Sequence, residues 1–196
     1  MTIAQKYQKS KDVCLSLRLK TRHPDGDVYD GVVVEIKRRF IVLQPVNDFE
    51  IDGIMVFPKR FIKGYRDGYF EKRTNQILRH NNQIERLRSP WWLAQCNSIR
   101  DVLEELKRRD IWPAVETVSN DGEDSSVFYL GRIVLIDKDI FELLCYSADG
   151  EWEEEVFEIE YDEVFRIEFN SKYCNHFNAF MRAKDEELTF HTEQLH

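Results

Sequence analysis

Two stretches of the chain, 100 residues apart, share one pattern of apolar and polar positions. Residues 29–36 (YDGVVVEI) and 129–136 (YLGRIVLI) align Tyr with Tyr and Gly with Gly, and their apolar positions coincide. Upstream of each stretch, an alternating run (13–20 and 111–118) leads into an Asp-Gly pair, at 25–26 and at 121–122. Because Asp-Gly between alternating runs is typical of hairpins, the pattern predicts an internal repeat of antiparallel strands.

Each copy contains one glycine inside a run of strand-forming residues. Gly31 and Gly131 occupy this position. Glycine inside a strand usually marks a bulge or a sharp bend, which allows a short sheet to curl. We therefore predict a mainly β protein with added helices, built from two tandem small antiparallel barrels.

Helical periodicity appears after and between the two copies. Ser98 and Asp101 form a capping-box pattern, and the apolar spacing that follows predicts a helix over 98–109. An aromatic stripe follows Asn170-Ser171 and predicts a C-terminal helix. A weaker helical pattern begins over 70–78 and is expected to continue towards Leu87, before Pro90 ends it. The predicted units are a first barrel with its helix (1–88), a connecting Trp-Trp segment and helix (89–110), and a second barrel with the C-terminal helix (111–196). The connecting helix is expected to pack both barrels into one body.

Composition places the chain among folded proteins and says little about activity. Its 196 residues are 42% hydrophobic and 13% aromatic, with no apolar run long enough to cross a membrane. The four cysteines (Cys14, Cys96, Cys145 and Cys174) are far apart and form no C-x-x-C pair, which favours buried thiols over a zinc site or disulfides. We expect a cytoplasmic protein with no membrane partner.

The net charge of −8 conceals an uneven distribution. Residues 1–88 carry a net charge of +7, and residues 89–196 carry −15. Such asymmetry indicates either an anionic partner for the first half or attraction between the two halves, within one chain or between chains. The sequence leaves both interpretations open.

The second copy resembles the first motif of Sm-like proteins. Gly131, the spaced apolar residues after it, Asp137 in the turn and the strand 140–143 carry this resemblance. The whole chain also resembles uncharacterised bacterial proteins with tandem Sm-like (small β-barrel) repeats, through the segment 128–131, the 149–152 turn and the 161–164 strand. The resemblance implies Sm-like/SH3-like barrels over about three quarters of the chain.

The Sm-like motif departs from its usual form at the residues that bind RNA. The position of the RNA-binding Asn holds Phe141, or Ile41 in the first copy, and an Arg-Gly pair near the last strands is absent. Lys37 replaces the turn Asp in the first copy. The resemblance therefore does not imply the usual Sm RNA site, and a small barrel by itself implies no function.

A basic group on turns and strand ends of the first copy is the main candidate for binding. Cations interleaved with aromatic residues suit a single-stranded nucleic acid, whose phosphates they neutralise while its bases stack on rings. The alternative is a solvated surface, or a face docked on the acidic second half. The candidate residues are Lys37, Arg38, Arg39, Lys59, Arg60 and Arg66.

Trp152 lies among carboxylates and is a second candidate. Asp149, Glu151 and Glu153 to Glu155 surround it. An exposed Trp with an acidic rim could anchor a basic protein partner, although this Trp could equally be a core residue. The spacing of the carboxylates does not match a calcium loop, so no metal is expected.

No motif for catalysis was found. The five histidines show no metal-ligand spacing, and no Ser or Cys lies in a nucleophile turn. We therefore expect a non-enzymatic binding module without a cofactor. Protein–protein interaction or self-association is the leading interpretation, with single-stranded nucleic acid (RNA) binding as the alternative. Nucleic acid binding requires the basic group to be exposed on one face near a ring, whereas interaction predicts that it is paired or at an apolar contact.

Overall fold

The structure is a computed structural model that describes residues 16–23, 28–118 and 126–193, with side chains as far as residue 185. The two Asp-Gly pairs, Cys14, His196 and the side chain of His191 lie outside this description. The first half contains β1 (Ser16–Thr21), β2 (Val28–Ile36), β3 (Phe40–Asn47), β4 (Glu50–Ile51), β5 (Ile54–Pro58), β6 (Ile62–Arg66) and helix α1 (Tyr69–His80). Helix α2 (Ile99–Arg108) connects it to the second half, which contains β7 (Ala114–Val118), β8 (Ser126–Ile136), β9 (Ile140–Tyr146), β10 (Trp152–Glu160), β11 (Val164–Phe169) and helix α3 (Lys172–Glu193). Short 3₁₀ helices cover Lys59–Phe61, Gln83–Arg86 and Trp91–Gln95.

The described strands form one open antiparallel sheet, which confirms the prediction of a mainly β protein. The strand order is β10-β9-β8-β7-β11-β5-β3-β2-β1-β6, and β4 pairs with β3 outside this path. The expected closure into two separate barrels is not found, because β5 of the first half pairs with β11 of the second half. We call the β5–β11 pairing the internal junction, and β6 and β10 the end strands.

Equivalent hairpins in the two halves have the same register. Gly31 lies opposite Pro45, and Gly131 lies opposite Cys145. The register shifts between Val33 and Glu35 in β2, and again 100 residues later in β8. The predicted bends therefore correspond to bulges two residues beyond each glycine.

The two strand glycines are required by the close approach of the neighbouring strand. A Cβ atom at Gly31 would lie 2.6 Å from the carbonyl oxygen of Gln44. A Cβ atom at Gly131 would meet the carbonyl oxygen of Leu144. No side chain fits between these backbones, so the glycines are structural.

The helices begin where the sequence predicts. The Ser98 hydroxyl accepts a hydrogen bond from the Asp101 N–H at 3.1 Å, and the Asp101 carboxylate accepts one from the Ser98 N–H, which completes the capping box of α2. At the start of α3, the Ser171 hydroxyl accepts a hydrogen bond from the Cys174 N–H. Helix α1 begins at Tyr69, close to the predicted start, but it ends at His80 rather than continuing towards Leu87. Asn82 takes a left-handed conformation (φ 54°), which ends the helix, and only the short 3₁₀ helix Gln83–Arg86 follows.

One core cluster contains apolar side chains of both halves. The buried face of α2 packs there with Val42 and Val56 of the first half and with Val115 and Leu143 of the second. Trp92, in the connecting segment, is buried and stacks on Phe169 at 5.6 Å between ring centroids. The connector therefore packs against both halves, as expected, while the predicted boundaries at 88 and 110 stay a prediction. None of the described helices is long and apolar enough to cross a membrane.

Candidate functional site

The β2–β3 turn carries the basic run 37–39, but its first lysine is already engaged. Lys37 Nζ donates a hydrogen bond to the Ala94 carbonyl oxygen at 2.5 Å and lies 3.7 Å from Glu35 Oε1. The Lys37 side chain is only 16% exposed. It therefore holds the connecting segment against the turn and is poorly placed for an external ligand.

Arg38 and Arg39 have a different environment. Both lie at the tip of the turn and are exposed. Among the residues that the structure describes, neither guanidinium has a side-chain partner. Their exposure is part of what nucleic acid binding requires of the basic group, and Lys37 does not share it.

Lys59 and Arg60 lie on the 3₁₀ turn between β5 and β6, close to the second half. Arg60 Nη2 donates to the carbonyl oxygens of Tyr161 and Asp162, both at 2.8 Å, and of Val164 at 3.1 Å. Although Arg60 reaches the surface, burial lowers the pKa of its guanidinium, and the nearby Asp162 opposes this effect. Burial also lowers the pKa of Lys59. Arg60 thus fixes the turn between β10 and β11.

A cleft between the two halves brings part of the basic group together with cations from other elements. It has a volume of about 300 Å³, and we call it the inter-half cleft. Arg100 contributes from α2, where it also pairs with Glu104 at 2.8 Å, and Lys138 contributes from the β8–β9 turn. The lining residues are Arg39, Arg60, Ser98, Ile99, Arg100, Lys138, Tyr161 and Asp162.

Arg100, Lys138 and Tyr161 were not predicted from the sequence as possible members of a site. Lys138 lies 100 residues after Arg38, so the repeat itself placed it at the equivalent turn. Arg100 carried no such signal, because an exposed cation on a helix is usually solvated. Only the packing of α2 between the halves brings Arg100 to this cleft.

Arg66 does not join the inter-half cleft. It lies on the end strand β6, directly opposite Arg18 of β1, and its Nε donates to Glu71 Oε1 at 2.7 Å. Arg18 is in turn paired with Asp30. These four side chains line a separate cavity of about 210 Å³.

Two aromatic rings at the start of α1 extend into solvent beside Arg66. Tyr69 is 68% exposed and Phe70 is 70% exposed, with their ring centroids 5.8 Å apart. The Arg66 guanidinium lies 5.9 Å from the Phe70 centroid, and that of Arg73 lies 5.7 Å from the Tyr69 centroid. We call this cationic and aromatic surface the α1 patch, defined by Lys63, Arg66, Tyr69, Phe70, Lys72 and Arg73.

Trp152 belongs to an aromatic cluster rather than standing alone in an acidic rim. Its indole N–H donates to Asp185 Oδ1 at 2.7 Å. Its ring meets those of Trp112 and Tyr146 edge-on, each at 5.6 Å between centroids. The half-buried ring holds α3 on the sheet, and its proposed role as a partner anchor stays a prediction.

Next to Trp152, an aromatic groove runs along the end strand β10. Its volume is about 320 Å³, and Phe128, Phe157 and Tyr173 reach its surface partly exposed. Glu153 contributes a carboxylate to the lining. We call this the β10 groove, lined by Val127, Phe128, Tyr129, Leu130, Cys145, Tyr146, Ser147, Ala148, Glu153, Phe157 and Tyr173.

The described cysteines lack the properties of activated nucleophiles. Burial raises the pKa of Cys96 to about 11 and that of Cys145 to about 12. Burial likewise raises the pKa of Cys174. A raised pKa keeps the thiol protonated and unreactive at neutral pH. Within the described part of the chain, no group of His, Cys, Asp and Glu side chains could hold a metal ion.

A buried ionic network beside the internal junction was not predicted. His23 Nε2 of the first half lies 3.0 Å from Glu116 Oε1 of the second. Arg166 Nε donates to Glu116 Oε2 at 2.9 Å, and its Nη1 donates to Glu168 Oε2 at 3.1 Å. The Arg166 guanidinium also lies 5.2 Å from the Tyr29 ring centroid of the first half. This network links the halves, and no spacing in the sequence indicates it.

Comparison with known proteins found no matching family model, no matching curated protein and no matching solved structure.

Proposed function

We propose that this protein is a non-enzymatic binding module, made of two Sm-like units in tandem, that self-associates through the two ends of its sheet. One observation carries the proposal. The end strands β6 and β10 have no further strand beside them among the described residues, and they carry opposite charges. Exposed strand edges are templates for pairing with another chain.

The tandem arrangement is supported by matching positions in the two halves. In both, the first strand pairs with the second and the last, and the second pairs with the third. Opposite β3, Val56 pairs with Val42, and opposite β9, Glu158 pairs with Glu142. Position 158 of the second half therefore corresponds to position 56 of the first, an offset of 102 residues.

The internal junction supplies a precedent for the proposed contact. It joins β5, the strand before the last of the first half, to β11, the last strand of the second half. In the second half, the strand equivalent to β5 is β10. In the first half, the strand equivalent to β11 is β6. The two end strands are therefore of the same two kinds as the strands that meet at the internal junction. A β10–β6 contact between copies would repeat the same junction.

The two end strands are complementary in charge. β10 contains five glutamates in nine residues, whereas Lys63 and Arg66 lie on β6, followed by further cations in α1. β10 also exposes Val156 (44%) and Phe157 (38%). Opposite charges would orient the encounter, and the apolar residues would supply area to bury.

The proposal is tested by measuring mass in solution at increasing protein concentration and low salt. We expect concentration-dependent species larger than one chain, detected by light scattering after size exclusion or by sedimentation. Glu158→Lys reverses one charge on β10 and is expected to reduce these species. Glu104→Lys, on the exposed face of α2, changes the net charge equally and should leave them intact. A protein that stays monomeric at its highest soluble concentration would contradict the proposal.

Single-stranded nucleic acid binding is the second candidate, favoured by the free guanidinium groups of Arg38 and Arg39. Arg39 lines the inter-half cleft with Arg60, Arg100 and Lys138, and the Tyr161 ring offers a surface for stacking. Asp162 and Glu104 reduce the positive charge of this cleft. This surface is separate from both end strands.

Fluorescence anisotropy with mixed-sequence RNA and DNA oligonucleotides separates the two candidates. If the cleft binds nucleic acid, the logarithm of the binding constant falls linearly with the logarithm of the salt concentration, and Arg39→Glu weakens binding. Arg79→Glu, an equally basic position of the first half away from the cleft, is the matched control. Absence of binding at low salt would remove this candidate and leave the assembly proposal unaffected.

A further inference from the structure

Large aromatic side chains are exposed at both ends of the sheet, which deepens the assembly proposal on which this inference rests. The α1 patch presents Tyr69 and Phe70 among cations. The β10 groove, at the opposite end, is aromatic and carries the Glu153 carboxylate. Contiguous exposed apolar surface next to charged residues is typical of contact sites.

At the internal junction, an equivalent groove is already filled. Tyr29 and Met55 of the first half occupy the positions that Tyr129 and Phe157 have in the second. The Arg166 guanidinium of β11 lies over the Tyr29 ring and within 3.7 Å of Met55 Sδ. Arg166 also pairs with Glu168 on the same face of β11. One half thus covers an aromatic groove of the other with a cation.

The offset of 102 residues shows which residues of the end strands β6 and β10 correspond to those that meet at the internal junction. Arg66 of β6 lies opposite Arg18 of β1, and Glu168 of β11 lies opposite Ala114, the equivalent residue of β7. Arg66 therefore holds the position in the first half that Glu168 holds in the second. Glu168 pairs with Met55 across the internal junction. The same register between two copies places Arg66 opposite Phe157, on the face of the β10 groove. Gly64 takes the position of Arg166 and leaves room there for Arg66.

The residues that follow β11 and those that follow β6 can be compared with the same offset of 102 residues. At the internal junction, the Lys172 N–H donates to Asp52 Oδ1 at 2.8 Å, and Ser171 packs against Gly53. The residues after β11 therefore lie on the turn that precedes β5. With the same offset, Tyr69 and Phe70 correspond to Ser171 and Lys172. In the contact between two copies, Tyr69 and Phe70 of one copy would lie beside residues 153–155 of the other, at the rim of the β10 groove.

We infer that Arg66 and Phe70 of one copy dock into the β10 groove of a second copy. The Arg66 guanidinium lies over the Phe157 ring, in the relation that Glu168 has to Met55 at the internal junction. Phe70 packs against Phe128 and Tyr173. Glu153 faces the cations of the α1 patch. The contact joins different surfaces of the two copies, so each copy keeps one free end and the assembly extends into a ring or an open chain.

Two variants, each blocking one end, test this docking. Phe70→Asp blocks the α1 patch and leaves the groove intact. Phe128→Asp blocks the groove and leaves both end strands unchanged. Because both rings are exposed, we expect both variants to fold, which far-UV circular dichroism and thermal unfolding check. Trp91→Asp replaces an aromatic residue that is 66% exposed in the connecting segment, and is the matched control.

The expected result is specific to a head-to-tail contact. Each blocked variant alone is monomeric under conditions where the wild type and Trp91→Asp assemble. An equimolar mixture of the two blocked variants forms a 1:1 dimer that does not extend, since one intact patch meets one intact groove. Each single substitution weakens association of the wild-type chain at least about tenfold.

Other outcomes would separate this inference from the assembly proposal. If Glu158→Lys disrupts assembly but both blocked variants assemble like the wild type, the strand contact stands and the groove docking is wrong. If the mixture of blocked variants stays monomeric, the docking is also wrong. A wild-type chain that never assembles overturns both.

Discussion

The internal junction and the end strands hold equivalent positions in the two halves but differ in side chains. All five residues of β5 are buried, and four of six are buried in β11. In β10 one residue of nine is buried, and β6 has none. Where an edge is covered within the chain, most of its residues are apolar; where it is open, charged residues make up two of five in β6 and five of nine in β10. If the ends of the sheet meet as proposed, this comparison predicts a contact that is weaker than the internal junction and depends on charge.

The largest expected effect on the free energy of unfolding comes from exchanging the residues at the equivalent positions 56 and 158. Val56→Glu puts the residue of the end strand into the internal junction, where Val56 is fully buried between Val42 and Ile167. An unpaired buried carboxylate is expected to lower the free energy of unfolding by about 4 kcal/mol or more. The reverse change, Glu158→Val, affects an exposed side chain and should stay within about 0.5 kcal/mol. Urea denaturation measures both free energies of unfolding, and equal effects would contradict the contrast between the covered strand β5 and the open strand β10.

Arg166 is the second place where the internal junction can be broken. Arg166→Ala leaves Glu116 and Glu168 without their shared cation in a largely buried site. Removing one partner of such a network is expected to cost about 3 kcal/mol of unfolding free energy. Arg100→Ala removes an exposed pair with Glu104 and should cost less than about 0.5 kcal/mol. A small effect of Arg166→Ala would mean that the network does not hold the halves together.

Local features of the sequence predicted the elements well, because their causes are local. The capping box at Ser98, the apolar face of α2 and the hairpins around Gly31 and Gly131 all follow from residues near one another in the chain.

Strand pairing between the halves could not be predicted. The β5–β11 pairing joins residues more than 100 positions apart, and no local signal states which edge a buried strand meets. For the same reason the network of His23, Glu116 and Arg166 and the inter-half cleft were missed, since each forms only when the halves meet. The basic run 37–39 looked uniform in sequence, yet Lys37 is engaged and Arg38 and Arg39 are free.

Thiol reactivity tests how tightly the core shared by the two halves is closed, because Cys96 and Cys145 lie in that core cluster. Burial raises their pKa values to about 11 and about 12, so both thiols stay protonated between pH 7 and about 9. We expect alkylation at these sites to be at least about tenfold slower in the native protein than in urea. Site-resolved mass spectrometry after iodoacetamide measures this. Labelling of Cys96 at the rate of an unfolded thiol would show that the shared core opens without global unfolding.

Added salt should weaken the proposed contact between end strands while it changes the internal junction very little. The proposed contact would pair exposed glutamates of β10 with exposed cations of β6, and such charges are screened beyond about 8 Å at physiological ionic strength. Raising NaCl from about 0.05 M to about 0.5 M is therefore expected to weaken self-association several-fold, measured by sedimentation. The internal junction is mainly apolar, so the thermal unfolding midpoint should shift little over the same range. Association that strengthens with salt would instead indicate that the exposed rings of the α1 patch and the β10 groove dominate the contact, since salt does not screen apolar burial.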